Sequence, residues 1–253
     1  EQLDQAIGPN TAAIGYLVDS PPVESLVSLK DAVKVGRARG IPVIADAAAQ
    51  IYPIDYFLET AQTADLVCFG GKFFGAPNST GFVCGKKELV DAVSEQGFIA
   101  FQTQVDGQRA IGRPMKLDRQ SIIALISALR TWVTMNHEER LLGIDGKLSA
   151  IQRGLSGIPH VRTQIVSTDH YSGSSLQVVL DTDALGKTPE SVARELDAGD
   201  PRIWIVSGEG DFFGAEYLHD RRLPPDTLVI NAQALNDREV QIVADTVRSV
   251  LAG

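Results

Sequence analysis

The chain has 253 residues, 44% hydrophobic and 22% charged, a composition that excludes disordered and fibrous classes and supplies apolar side chains for one large core or two smaller ones. A formal net charge of −9 repels phosphate backbones and anionic lipid, which disfavours nucleic acid as a partner. No apolar stretch reaches the ~18 uncharged residues of a membrane-spanning helix, and Cys68 and Cys84 lie in apolar runs without metal-ligand spacing, so neither a disulfide framework nor a zinc site is indicated and a reducing, cytoplasmic setting fits.

Taken in chain order, Ala12 to Val18 reads as a buried strand that stops at Asp19-Ser20-Pro21-Pro22, where two prolines forbid helix continuation and ladder pairing. From Val23 to Arg39 the residues Leu26, Leu29, Val33 and Gly36 recur at helical spacing, and Gly40 supplies a stop. Ile41 to Ala45 is a second strand, Tyr56 to Thr63 a helical turn, Asp65 to Phe69 a third strand and Thr80 to Cys84 a fourth. Strands apolar on both faces and separated by helices indicate a largely parallel sheet with covered faces. Between Leu117 and Val133 the set Ile122, Leu125, Ile126, Leu129, Trp132 and Val133 follows a 3.6 period, with Asp118 as the cap. Beyond it come the strand Ser175 to Leu180, a helix from Pro189 to Leu196, strands Ile203 to Val206 and Thr227 to Ile230, and a closing helix. Asn236 and Glu239 form a capping box for that last helix, and Val240, Val243, Val247 and Val250 share one face. The layout is an α/β first domain over residues 1–115, a connecting helix over 116–137 and a small α+β domain over 138–253.

Phe69-Gly70-Gly71-Lys72 follows a buried strand, but Phe73 replaces the hydroxyl that a triphosphate loop needs after its lysine. No G-x-G-x-x-G opens a helix after a strand, so a dinucleotide site has no local support. What remains is a lysine at the carboxyl end of a strand, where α/β sheets place their ligands, with a plain surface lysine as the bland reading. Asp46 ends the preceding strand and is followed by Ala47-Ala48-Ala49; it is also placed to cap whatever follows. Asp46 and Lys72, 26 residues apart, stand at the same end of two consecutive strands. A carboxylate and an amine converging beside tiny side chains make room for a flat aromatic cofactor, and pyridoxal phosphate requires a lysine for its aldehyde and an acid for its pyridine nitrogen.

The runs IPVIADAAAQIYP, ADLVCFGGKFFGAPNSTGFVCGKKELV and GRPMKLDRQ resemble fold-type-I pyridoxal-phosphate enzymes of the L-seryl-tRNA(Sec) selenium transferase-like group. The resemblance is strongest to the D-glucosaminate-6-phosphate ammonia-lyase-like branch, covers most of residues 11 to 135 and extends loosely to the small-domain layout. It implies the large domain of that fold followed by its small domain, with Lys72 as the Schiff-base lysine, Asp46 as the partner of the pyridine nitrogen and Ala48 packed against the ring. It further implies that the freed Lys72 amine, its neutral form favoured by burial, is the base for the substrate α-proton, and that loss of a β-leaving group completes an elimination.

Gly70 and Gly71 allow close backbone approach, and Asn78, Ser79 and Thr80 either donate hydrogen bonds near the cofactor or form a turn. Arg113, Lys116 and Arg202 are candidates for a substrate carboxylate or phosphate, or solvated basic residues. His137, His160, His170 and His219 lack metal-ligand spacing, and Ser172 to Ser175 reads as a turn. Family members are typically much longer, with a first third that cradles the cofactor phosphate and completes the sheet; nothing here matches those elements. The expectation is therefore a carboxyl-terminal portion of a longer polypeptide, with open sheet edges and uncovered apolar faces. The functional expectation is a pyridoxal-phosphate-dependent lyase-like enzyme acting on an amino acid or amino-sugar acid, as a homo-oligomer. Selenium transfer on seryl-tRNA and a non-catalytic remnant serving in oligomerisation are the alternatives.

Overall fold

The computed structural model describes residues 1–18, 26–99, 104–105, 108–167, 171–207 and 224–253. Those residues divide into two units, the first comprising the described residues of 1–135 with Tyr171 and the second the other described residues from 136 onward. Among the described residues no helix is long and apolar enough to cross a membrane.

In the first unit, α1 (Gln2–Ala6) precedes β1 (Ile14–Leu17), α2 (Leu29–Arg39), β2 (Val43–Asp46), α3 (Ile54–Thr63) and β3 (Leu66–Gly70). A short 3-10 turn (Gly71–Phe74) leads to β4 (Gly81–Gly85), α4 (Lys87–Glu95), the two-residue strands β5 (Gln104–Val105) and β6 (Gln108–Arg109), and α5 (Arg119–Thr134). The four main strands run in the order β1-β2-β3-β4, parallel across the first three, whereas β4 is antiparallel to β3. The fourth strand thus departs from a parallel reading of the run, because the connection over residues 71–80 is too short for a crossover and returns the chain alongside. Helix α2 starts at Leu29, where Ser28 accepts from the Asp31 N–H, so the periodicity placed at Val23 begins too early and Leu26 lies before the helix, exposed. Residues 19–25, the expected proline loop among them, lie outside the described residues. The turn expected over Tyr56 to Thr63 is a ten-residue helix that buries Phe57 and Thr60.

The two faces of this sheet differ. Val43 and Ala45 are fully buried with Val67 in a core shared with Val33, Phe57 and Phe69, while the alternate positions Ile44 and Leu17 are 37% and 64% exposed. At the amino-terminal end of the strands, Asp65 is a clamp: its Oδ2 accepts the Val43 N–H at 2.8 Å and its Oδ1 lies 2.8 Å from Lys86 Nζ. Burial of Asp65 alone would push its carboxyl up, but the Lys86 ammonium and the Val43 N–H overcome that and hold it below the usual range.

The second unit contains α6 (His137–Gly154), β7 (Val161–Val166), β8 (Ser175–Leu180), α7 (Thr182–Leu185), α8 (Pro189–Asp197), β9 (Val206–Ser207), β10 (Thr227–Ile230) and α9 (Asp237–Ala252). Its strands form an antiparallel sheet in the order β7-β8-β10-β9. Leu148, Ile151, Leu196 and Val247 from the helices meet Leu176, Val178 and Leu228 from the sheet in one core. The capping box is present as expected: the Asn236 side chain accepts from Glu239 N and Glu239 accepts from Asn236 N. The strand expected over Ile203 to Val206 contracts to Val206–Ser207, although Ile203 and Ile205 are buried at 8% exposure. Helix α6 has no counterpart among the elements expected from the sequence; its Gly143 and Gly146 face open space, while Ile144, Leu148 and Ile151 are buried.

Candidate cofactor site

Asp46 is the last residue of β2 and Cys68 is its partner in β3. Just beyond, the Ala47 N–H donates to Cys68 O at 3.0 Å and the Gly70 N–H donates to Ala48 O at 3.0 Å. Two strand ends are therefore stitched together after the ladder proper stops. Asp46 Oδ1 accepts the Ala48 N–H at 3.1 Å, which turns the chain tightly, and no helix starts there. The carboxylate stays exposed, with half-buried Ala48 next to it.

Lys72 sits in the turn directly after β3, two residues past Gly70. Its side chain is exposed, not buried as the base role led us to expect, and its Nζ lies 5.0 Å from the centre of the Phe73 ring. A Cβ on Gly70 would stand 2.9 Å from that ring and 3.2 Å from Ala48 O, so the absence of a side chain lets the strand end approach the Ala48 loop. Gly71 is held by its N–H donating to Thr80 O at 2.8 Å. Asp46, Ala48, Gly70, Gly71 and Lys72 thus gather at one end of the sheet.

The polar residues after the lysine divide. The Thr80 hydroxyl, buried, donates to Pro77 O at 2.6 Å and serves the turn, whereas Asn78 and Ser79 are exposed. Arg113 is half-buried and Lys116 exposed, both in the first unit ahead of α5. Arg202 belongs to the second unit and is engaged by Asp197 through two hydrogen bonds of 2.6 and 3.1 Å. His137 Nδ1 accepts from Arg140, His160 Nδ1 lies 3.6 Å from Asp181, and His170 and His219 lie outside the described residues. Among the described residues no group of His, Cys, Asp and Glu is placed to hold a metal ion.

Sequence reasoning overlooked Cys68 as a neighbour of Asp46; the alternation within DLVCF, set against IPVIAD, contains that signal once the strands are paired. Burial pushes the Cys68 thiol up, and the Asp46 charge adds to it. Burial likewise raises Cys84, with Cys68 contributing. Cys84 pairs with Val67, so the two thiols stand on opposite faces of the sheet and both are free.

No protein-family model matches the chain. The curated 5'-C-glycyluridine monooxygenase-decarboxylase of a Streptomyces species is 30% identical over 245 residues, 94% of this chain and 54% of that protein. D-glucosaminate-6-phosphate ammonia lyase of Salmonella typhimurium is 27% identical over 208 residues, 80% of this chain and 51% of that protein. The chain spans about half the length of the curated relatives it matches. A solved D-glucosaminate-6-phosphate ammonia-lyase structure superposes with a TM-score of 0.70 at 23% identity, over 99% of this chain and 60% of its own. A PLP-dependent aminotransferase from Streptococcus suis superposes with a TM-score of 0.52 at 12% identity, over 99% and 60%. The chain is homologous to the ammonia lyase, and its mixed α/β architecture is that of the fold-type-I aminotransferase-like proteins.

Proposed function

We propose that the chain works in a pyridoxal-phosphate-dependent, lyase-like enzyme that removes a β-substituent from an amino acid or amino-sugar acid. The observation behind this reading is the stitched pair of strand ends, which brings Asp46 at the end of β2 and Gly70, two residues before Lys72, to the same end of the sheet, with Ala48 bonded to both. That donor set fits the two reactive ends of pyridoxal phosphate: an acid for a pyridine nitrogen and an amine for an aldehyde. When bound, the cofactor supplies an electron sink for negative charge at the substrate α-carbon.

Asp46 holds a proton on the ring nitrogen, and the Ala48 N–H fixes the carboxylate that does so. Lys72 Nζ would hold the cofactor through its aldehyde, and the same amine would be the base for the substrate α-proton. Because Lys72 is exposed, the water exclusion that such a proton transfer needs would fall to the bound substrate. Arg113 and Lys116, in the same unit, are the cations proposed to receive a substrate carboxylate or phosphate. With Arg202 already engaged by Asp197, its substrate role requires exchange of that pair.

The net charge of −9 argues against selenium transfer on a tRNA. The oligomerisation-only reading draws support from exposed Leu17 and Ile44 on the Asp46 face. Titration of the purified protein with pyridoxal phosphate separates the two. A band near about 420 nm, absent in Lys72→Ala, supports the enzyme reading; no band at saturating cofactor overturns it and leaves the remnant.

A further inference from the structure

The turn that carries Lys72 is backed by Thr80, through both its backbone and its side chain. Thr80 is 6% exposed and makes three contacts with this segment. Its carbonyl accepts the Gly71 N–H at 2.8 Å, its N–H donates to Pro77 O at 3.0 Å, and its hydroxyl donates to the same Pro77 O at 2.6 Å. A Cβ on Gly71 would overlap the Thr80 hydroxyl and stand 2.8 Å from Leu125 Cδ1 of α5. The volume beside Gly71 is thus already filled by Thr80 and Leu125. The turn is completed by Ala76 N–H to Gly71 O at 3.0 Å and Gly75 N–H to Lys72 O at 3.3 Å.

The Lys72 side chain is exposed, and its Nζ lies 5.0 Å from the centre of the adjacent Phe73 ring. The origin of the lysine stem is therefore set by its backbone, and Thr80 holds that backbone at Gly71, immediately before the lysine. We infer that Thr80 is a positioning residue for Lys72: its hydroxyl, spent on Pro77, fixes the turn from which the amine reaches the cofactor and does not itself bind the cofactor. The inference rests on the proposed role of Lys72. It follows that loss of the hydroxyl alone degrades Lys72 chemistry, because small misplacements of a reacting group carry large penalties.

The test compares wild type, Thr80→Val and Thr80→Ser by two readouts on the whole chain. The first is the pyridoxal phosphate concentration that half-saturates the band near about 420 nm. The second, free of cofactor, is amide exchange at Gly71, Gly75 and Ala76. Thr80→Val is expected to raise the half-saturating concentration about tenfold and speed exchange at those amides about tenfold, with Thr80→Ser restoring both to within about twofold. Thr80→Val matching wild type in both readouts overturns the inference, as does faster exchange with unchanged cofactor binding. If wild type forms no band, the cofactor reading of Lys72 is what fails. Exchange then decides the positioning claim alone: acceleration confined to the turn upholds it and unchanged protection overturns it. Should Thr80→Val fail to fold, Thr80→Ala removes the hydroxyl without adding a methyl group beside Gly71 and takes its place.

Discussion

The second unit exposes few of its large apolar side chains, Leu142 and Trp204 among the described residues, whereas the first leaves many in water. In the second, Leu148, Ile151, Leu176, Val178, Leu196, Leu228 and Val247 are fully buried between one antiparallel sheet and its helices. In the first, the sheet that buries Val43, Ala45 and Val67 on one side shows Leu17 and Ile44 on the other, beside Asp46. The contrast matches packing as the main constraint on the second unit and the proposed strand-end site as a further one on the first. A site must stay open, and the surface around it stays open with it.

Truncation probes that contrast most strongly. Leu148→Ala should cost about 2–5 kcal/mol in urea unfolding, because it opens a cavity in a closed core. Leu17→Ala, at 64% exposure, should stay within about 0.5 kcal/mol. Equal costs would break the distinction between the units.

Within the first unit the exception is Asp65, 1% exposed and ion-paired to half-exposed Lys86. Asp65→Ala should cost about 2 kcal/mol, since the Val43 N–H loses its acceptor in a buried setting and the pair is partly screened at Lys86. Its carboxyl is held below the ordinary range when folded, so its contribution is complete above the unfolded value of about 3.9 and is lost as pH falls through the folded value. Acid unfolding curves should accordingly fall less steeply below about pH 4 in Asp65→Asn than in wild type. A parallel fall in both would remove Asp65 from the account.

A smaller loss, about 1 kcal/mol, is expected for Asn236→Ala, which deletes one half of the capping box of α9. Thermal unfolding of that variant measures it, and no change would show the cap to be redundant with the packing of Val240, Val243 and Val247. The slightest effect concerns the face that Asp46 shares with Cys68. Asp46→Asn removes a charge that raises the Cys68 thiol, so alkylation of Cys68 near neutral pH should quicken about two- to threefold while Cys84, on the other face, keeps its rate. Equal acceleration of both thiols would contradict the strand register.

Much of this was readable because periodicity, caps and strand ends are local. Ser175 to Leu180 and Thr227 to Ile230 form strands at the expected boundaries, the first with the alternation its sequence shows, and Asp118 caps α5 by accepting from Ser121 N. Helix α6 has no counterpart among the expected elements, although Ile144, Leu148 and Ile151 share its buried stripe. The antiparallel return of β4 and the Cys68 neighbour of Asp46 depend on which strand lies beside which, a property no single segment carries. The role of Thr80 was hidden for a similar reason: a threonine in a turn shows its type in the sequence, but not that its hydroxyl fills the space beside Gly71.

The central claim is that Lys72 is chemically set apart by its place at the strand ends. Incubation with pyridoxal phosphate followed by borohydride reduces any C=N bond between cofactor and lysine to a stable amine, and peptide mass mapping locates it. Selective trapping on Lys72, absent in Lys72→Ala and weakened in Asp46→Asn, is the predicted result. Trapping spread evenly over exposed lysines such as Lys86 and Lys87, with Lys72 no different from them, would contradict it.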